Sequence, residues 1–159
     1  MNRIWLKSYP HYANPAPAIP NISVADQFRE TCARYADNEA YWAMGVSMSY
    51  RELENHALRV TSWLQQSGFD KGDRVAIMLP NLLSFPVCLF GALLGGYTCT
   101  NINPQYTPRE LIHQLNDSGA KVLFALETDA FFDRDELNVL VHQGVNGGDD
   151  FPHRATQPT

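Results

Sequence analysis

The sequence predicts an α/β fold built on a parallel sheet, and three observations carry that prediction. Residues 74–79, RVAIML, are a short and almost continuously apolar run of the kind found in strands buried on both faces. Residues 97–102 and 121–126 are two further β-rich runs, and helix-like stretches with their own start and stop signals separate the three. Parallel strands need crossover connections, which are right-handed in nearly all known cases. Residues 74–126 are therefore predicted to wind as the β-α-β-α-β start of a doubly wound sheet.

Taken in order, residues 1–22 read as an extended Pro-rich arm, with Pro10 to Pro20 lacking any periodicity. Trp5, Tyr9 and Tyr12 in it read as an arm laid over the domain rather than as a membrane anchor, although peripheral membrane contact stays open. Ser23 with Asp26 predicts a helix cap, and Val24, Phe28, Cys32 and Tyr35 give one apolar stripe at helical spacing. Residues 40–44 and 46–50 flank Gly45 with strand character and predict a short hairpin. Ser49-x-x-Glu52 is a capping box, after which Leu53, Ala57, Val60 and Leu64 mark a second amphipathic helix that Gly68 closes.

Within the central unit, Pro80 ends the first strand and Asn81 or Ser84 is placed to cap the next helix. Pro86 falls in that helix's first turn, and Gly95-Gly96 release the chain. Asn103-Pro104 turns the chain, and Thr107, Pro108 and Glu110 agree on a helix start with a capping box. Leu111, Leu115 and Ser118 mark one face of this helix, and Gly119 terminates it. Beyond Leu126 the pattern changes: residues 127–140 allow one more short helix, and 141–159 lack periodicity and read as disordered. The domain reading is thus 1–22 arm, 23–126 folded unit and 127–159 tail.

The chain's 159 residues make one ordinary domain by size. A formal charge of -5 without a basic patch argues against nucleic acid as a partner. Cys32, Cys88 and Cys99 are odd in number and lack C-x-x-C spacing, so they read as reduced core thiols of a cytoplasmic protein. The first twelve residues do not read as a signal peptide. The most apolar window, 85–99, is broken by Pro86 and Gly95-Gly96 and is too short to span a bilayer.

Motifs for chemistry are sparse. Glu110 and His113 have E-x-x-H spacing but no second copy on another helix, and His11, His56, His142 and His153 share no ligand spacing, so no metal site is assigned. Gly91, Gly95 and Gly96 end a helix instead of opening one, and read as packing and capping glycines. Gly144, Gly147 and Gly148 have neither a preceding strand nor a following Lys-Ser/Thr, so they do not read as a phosphate loop. Ser47, Ser49 and Ser84 lack a G-x-S-x-G setting and nominate no nucleophile. One positional rule remains: ligands in open α/β sheets sit outside the carboxyl ends of the strands. It nominates a rim made of Pro80-Asn81, Asn103-Pro104 and Glu127-Thr128, of which Asn81 also reads as a helix cap and Asn103-Pro104 as a plain turn.

The block GDRVAIMLPNLLSFPVCLFGALLGGYTCTNINPQYTPRELIHQLNDSGAKVLF, with WLKSYP before it and SYRELENHALRVTSWLQQ between, resembles the N-terminal part of bacterial long-chain fatty acid–CoA ligases. The resemblance runs from Ile4 to near Leu126, with TPRELIHQLNDSGA its most specific part. It implies the fold of adenylate-forming enzymes, which in their full length use ATP, magnesium and coenzyme A to turn a fatty acid into acyl-CoA through an acyl-adenylate. The family's phosphate loop, adenylate motif, ribose-binding Asp and C-terminal lysine lie downstream of this block, and none occurs here. The lysines are Lys7, Lys71 and Lys121, and none follows a Gly/Ser/Thr-rich loop. The resemblance therefore implies no catalytic, cofactor-binding or metal residue at any position of this chain, and it points to a truncated or frameshifted ligase. The other reading is a non-catalytic α/β binding module derived from the same fold.

Overall fold

The computed structural model describes residues 4–12, 20–126, 138–141 and 153–154. Ile4–Ser8 forms a 3-10 helix where the sequence suggests an extended arm; i to i+3 bonding needs too few residues for the segment's shortness to forbid it. Helix α1, Val24–Tyr35, starts on Ser23, whose side chain accepts the Asp26 N–H at 3.0 Å. Phe28 and Cys32 are buried, but Val24 and Tyr35 at the ends of the expected stripe are exposed. The helix is longer than the surface it packs on, so only its middle is covered. Phe28 stacks on Phe90 with ring centroids 4.0 Å apart.

Strands β1, Glu39–Ala43, and β2, Val46–Ser49, form the expected antiparallel hairpin as a sheet of their own. The turn residues Met44 and Gly45 both have positive φ, 52° and 87°, the requirement of a type I′ turn, whose twist suits a two-residue hairpin loop. The capping box of Ser49 and Glu52 starts α2, Tyr50–Gln66, with both reciprocal bonds made. Leu53, Ala57, Val60, Thr61 and Leu64 form its buried face.

The central unit follows as β3 (Arg74–Met78), α3 (Ser84–Leu94), β4 (Thr98–Asn101), α4 (Pro108–Ser118) and β5 (Val122–Ala125). In the main sheet β3 lies between β4 and β5 and pairs in parallel with both. The three parallel strands joined by two helices are those read from the sequence. The interior place between them goes to β3, whose Val75, Ala76 and Ile77 are fully buried. The outer side of β5 is taken by β6 (Asn138–Val141), which runs antiparallel to it and pairs in turn with β7 (His153–Arg154). A helix to residue 140 and disorder from 141 onward do not hold at these positions, and the hairpin does not extend the main sheet. A non-local partner decides the conformation of 138–141: the open ladder of β5 offers hydrogen bonds that local periodicity does not report. The remaining tail positions lie outside the described residues.

Side chains alternate across the sheet as the pleat requires. Val75, Ile77, Val122 and Phe124 face α2 and α3, together with Val60, Leu64, Cys88 and Ala92. Ala76, Leu123 and Ala125 face the other way and pack with Leu115 of α4. Helices thus lie on both faces, the doubly wound arrangement. A third cluster, Phe28, Cys32, Met48, Leu53 and Ala57, joins α1 and the hairpin to Leu83, Val87, Phe90 and Leu94 on the far side of α3. Helix α3 lies between two cores, which is why it is apolar all round.

Candidate functional site

The parallel pairing of β3 with both neighbours brings the carboxyl ends of β3, β4 and β5 to one edge. That edge is the rim nominated by position. After β3 the buried Leu79 leads to half-buried Pro80 and exposed Asn81. The Pro80 carbonyl accepts the Leu82 N–H at 2.7 Å, and the Leu82 carbonyl accepts the Phe85 N–H at 3.1 Å. The chain therefore enters α3 already tightly turned. Neither Asn81 nor Ser84 caps it: the N-cap is Leu83, in helical conformation and without a side-chain cap. Tight backbone turns and burial on both sides replace the cap expected there.

After β4, the Ile102 N–H bonds back to the Ile77 carbonyl at 2.9 Å. The Asn103 side-chain oxygen accepts the Gln105 N–H at 3.0 Å, and its carbonyl accepts the Tyr106 N–H at 3.1 Å. Asn103 is an Asx-turn residue. Thr107 then caps α4 by accepting the Glu110 N–H, while the Glu110 carboxylate accepts the Thr107 N–H and O–H at 2.8 and 2.7 Å. These bonds, the side-chain one foremost, hold the Glu110 carboxyl below its ordinary value. The positive end of α4 is thus satisfied from within the chain. Glu127-Thr128 lies outside the described residues, so the structure brings together two of the three rim segments.

The opposite edge of the sheet is tied down. Lys121 Nζ lies 2.7 Å from an Asp73 carboxylate oxygen, and Asp73 also accepts the Asp70 N–H at 2.9 Å. The Lys121 hydrogen bond is the main cause of the lowered Asp73 pKa. Arg74 Nε donates to the Gly119 carbonyl at 3.3 Å, and the Tyr97 hydroxyl donates to the Phe69 carbonyl at 3.1 Å. Lys71 and Lys121 precede β3 and β5, so both lie at this end and away from the rim.

The remaining candidates take structural places. Ser47 hydrogen-bonds Glu39 across the hairpin, Ser49 caps α2, and Ser84 opens α3. The Glu110 carboxylate is engaged by Thr107 at the N-cap, and exposed His113 shares no metal-holding group with it; among the described residues no cluster of three His, Cys, Asp or Glu is placed to hold a metal. A β-carbon on Gly91 would meet Val60 Cβ at 2.6 Å, so this glycine serves helix packing. Gly95 is the C-cap of α3, and Gly96 follows it at φ +78°. His142, Gly144, Gly147 and Gly148 lie outside the described residues. Sequence reasoning passed over Thr61, a buried hydroxyl in an apolar stripe, which donates to the Gly91 carbonyl at 2.7 Å.

Comparison with known proteins places this arrangement. The family model described as AMP-binding enzyme matches residues 28–155. The Long-chain-fatty-acid–CoA ligase of Escherichia coli O6:H1 is 48% identical over 126 residues, 77% of this chain and 22% of that protein. The protein of the same name from Haemophilus influenzae is 38% identical over 132 residues, 82% of this chain and 24% of its own length. This chain spans under a quarter of the length of these relatives and corresponds to an N-terminal portion of them. Among solved structures, the Klebsiella oxytoca NpsA N-terminal subdomain in complex with 3-hydroxyanthranilyl-AMSN superposes with a TM-score of 0.63 at 25% identity, covering 69% of this chain and 28% of that one. The inhibitor-bound N-terminal domain of FACL13 from Mycobacterium tuberculosis gives 0.60 at 30% identity, with 64% and 26% covered. The parallel β3–β4–β5 unit, its two-sided helices and a match across most of the sequence agree, and the chain belongs to the AMP-binding enzyme family.

Proposed function

We propose that this chain is the N-terminal scaffold portion of a long-chain fatty acid–CoA ligase and carries out no chemistry alone. The observation that supports this most is the 48% identity to a ligase of that name over 126 residues, a stretch covering under a quarter of that ligase. In the complete enzyme the substrates would be a long-chain fatty acid, ATP and coenzyme A, with magnesium, in the cytoplasm or at the inner face of its membrane. Nucleic acid is not a partner on this reading. No described helix is long and apolar enough to cross a membrane.

The described residues do not fit magnesium–ATP. Magnesium favours carboxylate and phosphate oxygens in near-octahedral geometry. The rim presents the amides of Asn81 and Asn103, and the Asn103 oxygen is taken by its own turn. The carboxylate at the head of α4, Glu110, is held by Thr107. No adenylation step is therefore assigned to these residues.

A graft tests the scaffold reading. Replacing the matching segment of the Escherichia coli relative with residues 20–126 of this chain should leave acyl-CoA synthesis within about tenfold of the parent, since the rim turns and core are kept. Loss of activity in a soluble, folded chimera would refute it. The alternative, a self-standing binding module, is separated by reading the DNA downstream of the Thr159 codon in all frames. A phosphate loop and C-terminal lysine encoded there would mark a ligase gene.

A further inference from the structure

We draw no further inference here: the strongest candidate, the N-terminus of α3 at the carboxyl end of β3, which no side chain caps, carries nothing, because among the described residues no buried side-chain polar atom is left without a partner there to point to a ligand.

Discussion

The Thr61 hydroxyl donates to the Gly91 carbonyl oxygen at 2.7 Å and shares its proton with the Ala57 carbonyl at 3.1 Å, fixing α2 against α3 where both are buried. The close approach depends on Gly91, since a β-carbon there would lie 2.6 Å from Val60 Cβ and 2.8 Å from the Ala57 carbonyl oxygen. Gly91→Ala should therefore destabilise the protein by about 1–3 kcal/mol through overpacking. Thr61→Val, of similar shape, should cost about 1 kcal/mol through the lost hydrogen bond. Urea unfolding midpoints check both, and a neutral Gly91→Ala would contradict the close approach.

Met44 gives the opposite sign. At φ 52° in a type I′ turn, Met44→Asn should relieve left-handed strain and stabilise the fold by up to about 1 kcal/mol. A lower thermal midpoint for that variant would mean that the turn is not of this type.

Asp73 provides the pH dependence. Its carboxyl is held below the ordinary 3.8, chiefly by the Lys121 hydrogen bond. A folded pKa below the unfolded one contributes stability fully above about pH 3.9, lost as pH falls through the folded value. Asp73→Asn should therefore be less stable than the native chain at neutral pH, and the difference should shrink as pH drops below 3.8. Urea titrations at pH 7 and pH 3 measure it; a constant gap would place the effect elsewhere.

The cysteines should be slow nucleophiles. Burial pushes Cys32 and Cys99 up to about 11 and Cys88 to about 12. Because the thiolate is the reactive form, a thiol reagent at pH 7 should label half-buried Cys99 first and reach Cys32 and Cys88 only on unfolding. Rapid labelling of all three in the native state would show that the cores are open.

The sequence was most legible where structure is made locally. The Ser49–Glu52 and Thr107–Glu110 boxes and the left-handed Gly119 appear at the expected positions, because each needs only residues three or four apart. The parallel unit was legible because a continuous apolar run such as 75–79 fits only a strand covered on both faces. What escaped depends on distant partners. The start of α3 is set by burial on two sides and not by a cap, and β6 exists because β5 has an open edge. At the candidate site, the rim was legible from strand order alone. That the Asn103 side-chain oxygen is taken by the Gln105 N–H of its own turn was not, because it is a matter of side-chain rotamer.

The central claim, that this chain is scaffold without its own adenylation chemistry, is tested most directly by pyrophosphate exchange into ATP with a long-chain fatty acid. Acyl-adenylate formation needs a carboxylate held in line with the α-phosphate and fixed donors around the transferring phosphate, and loss of a single such donor typically lowers the rate roughly 100- to 1,000-fold. The described rim supplies turn amides and a carboxylate bound into a helix cap. The purified chain should therefore give no fatty-acid-dependent exchange above a no-protein control. Exchange that persists in material prepared from a host lacking its own long-chain ligase would contradict the account.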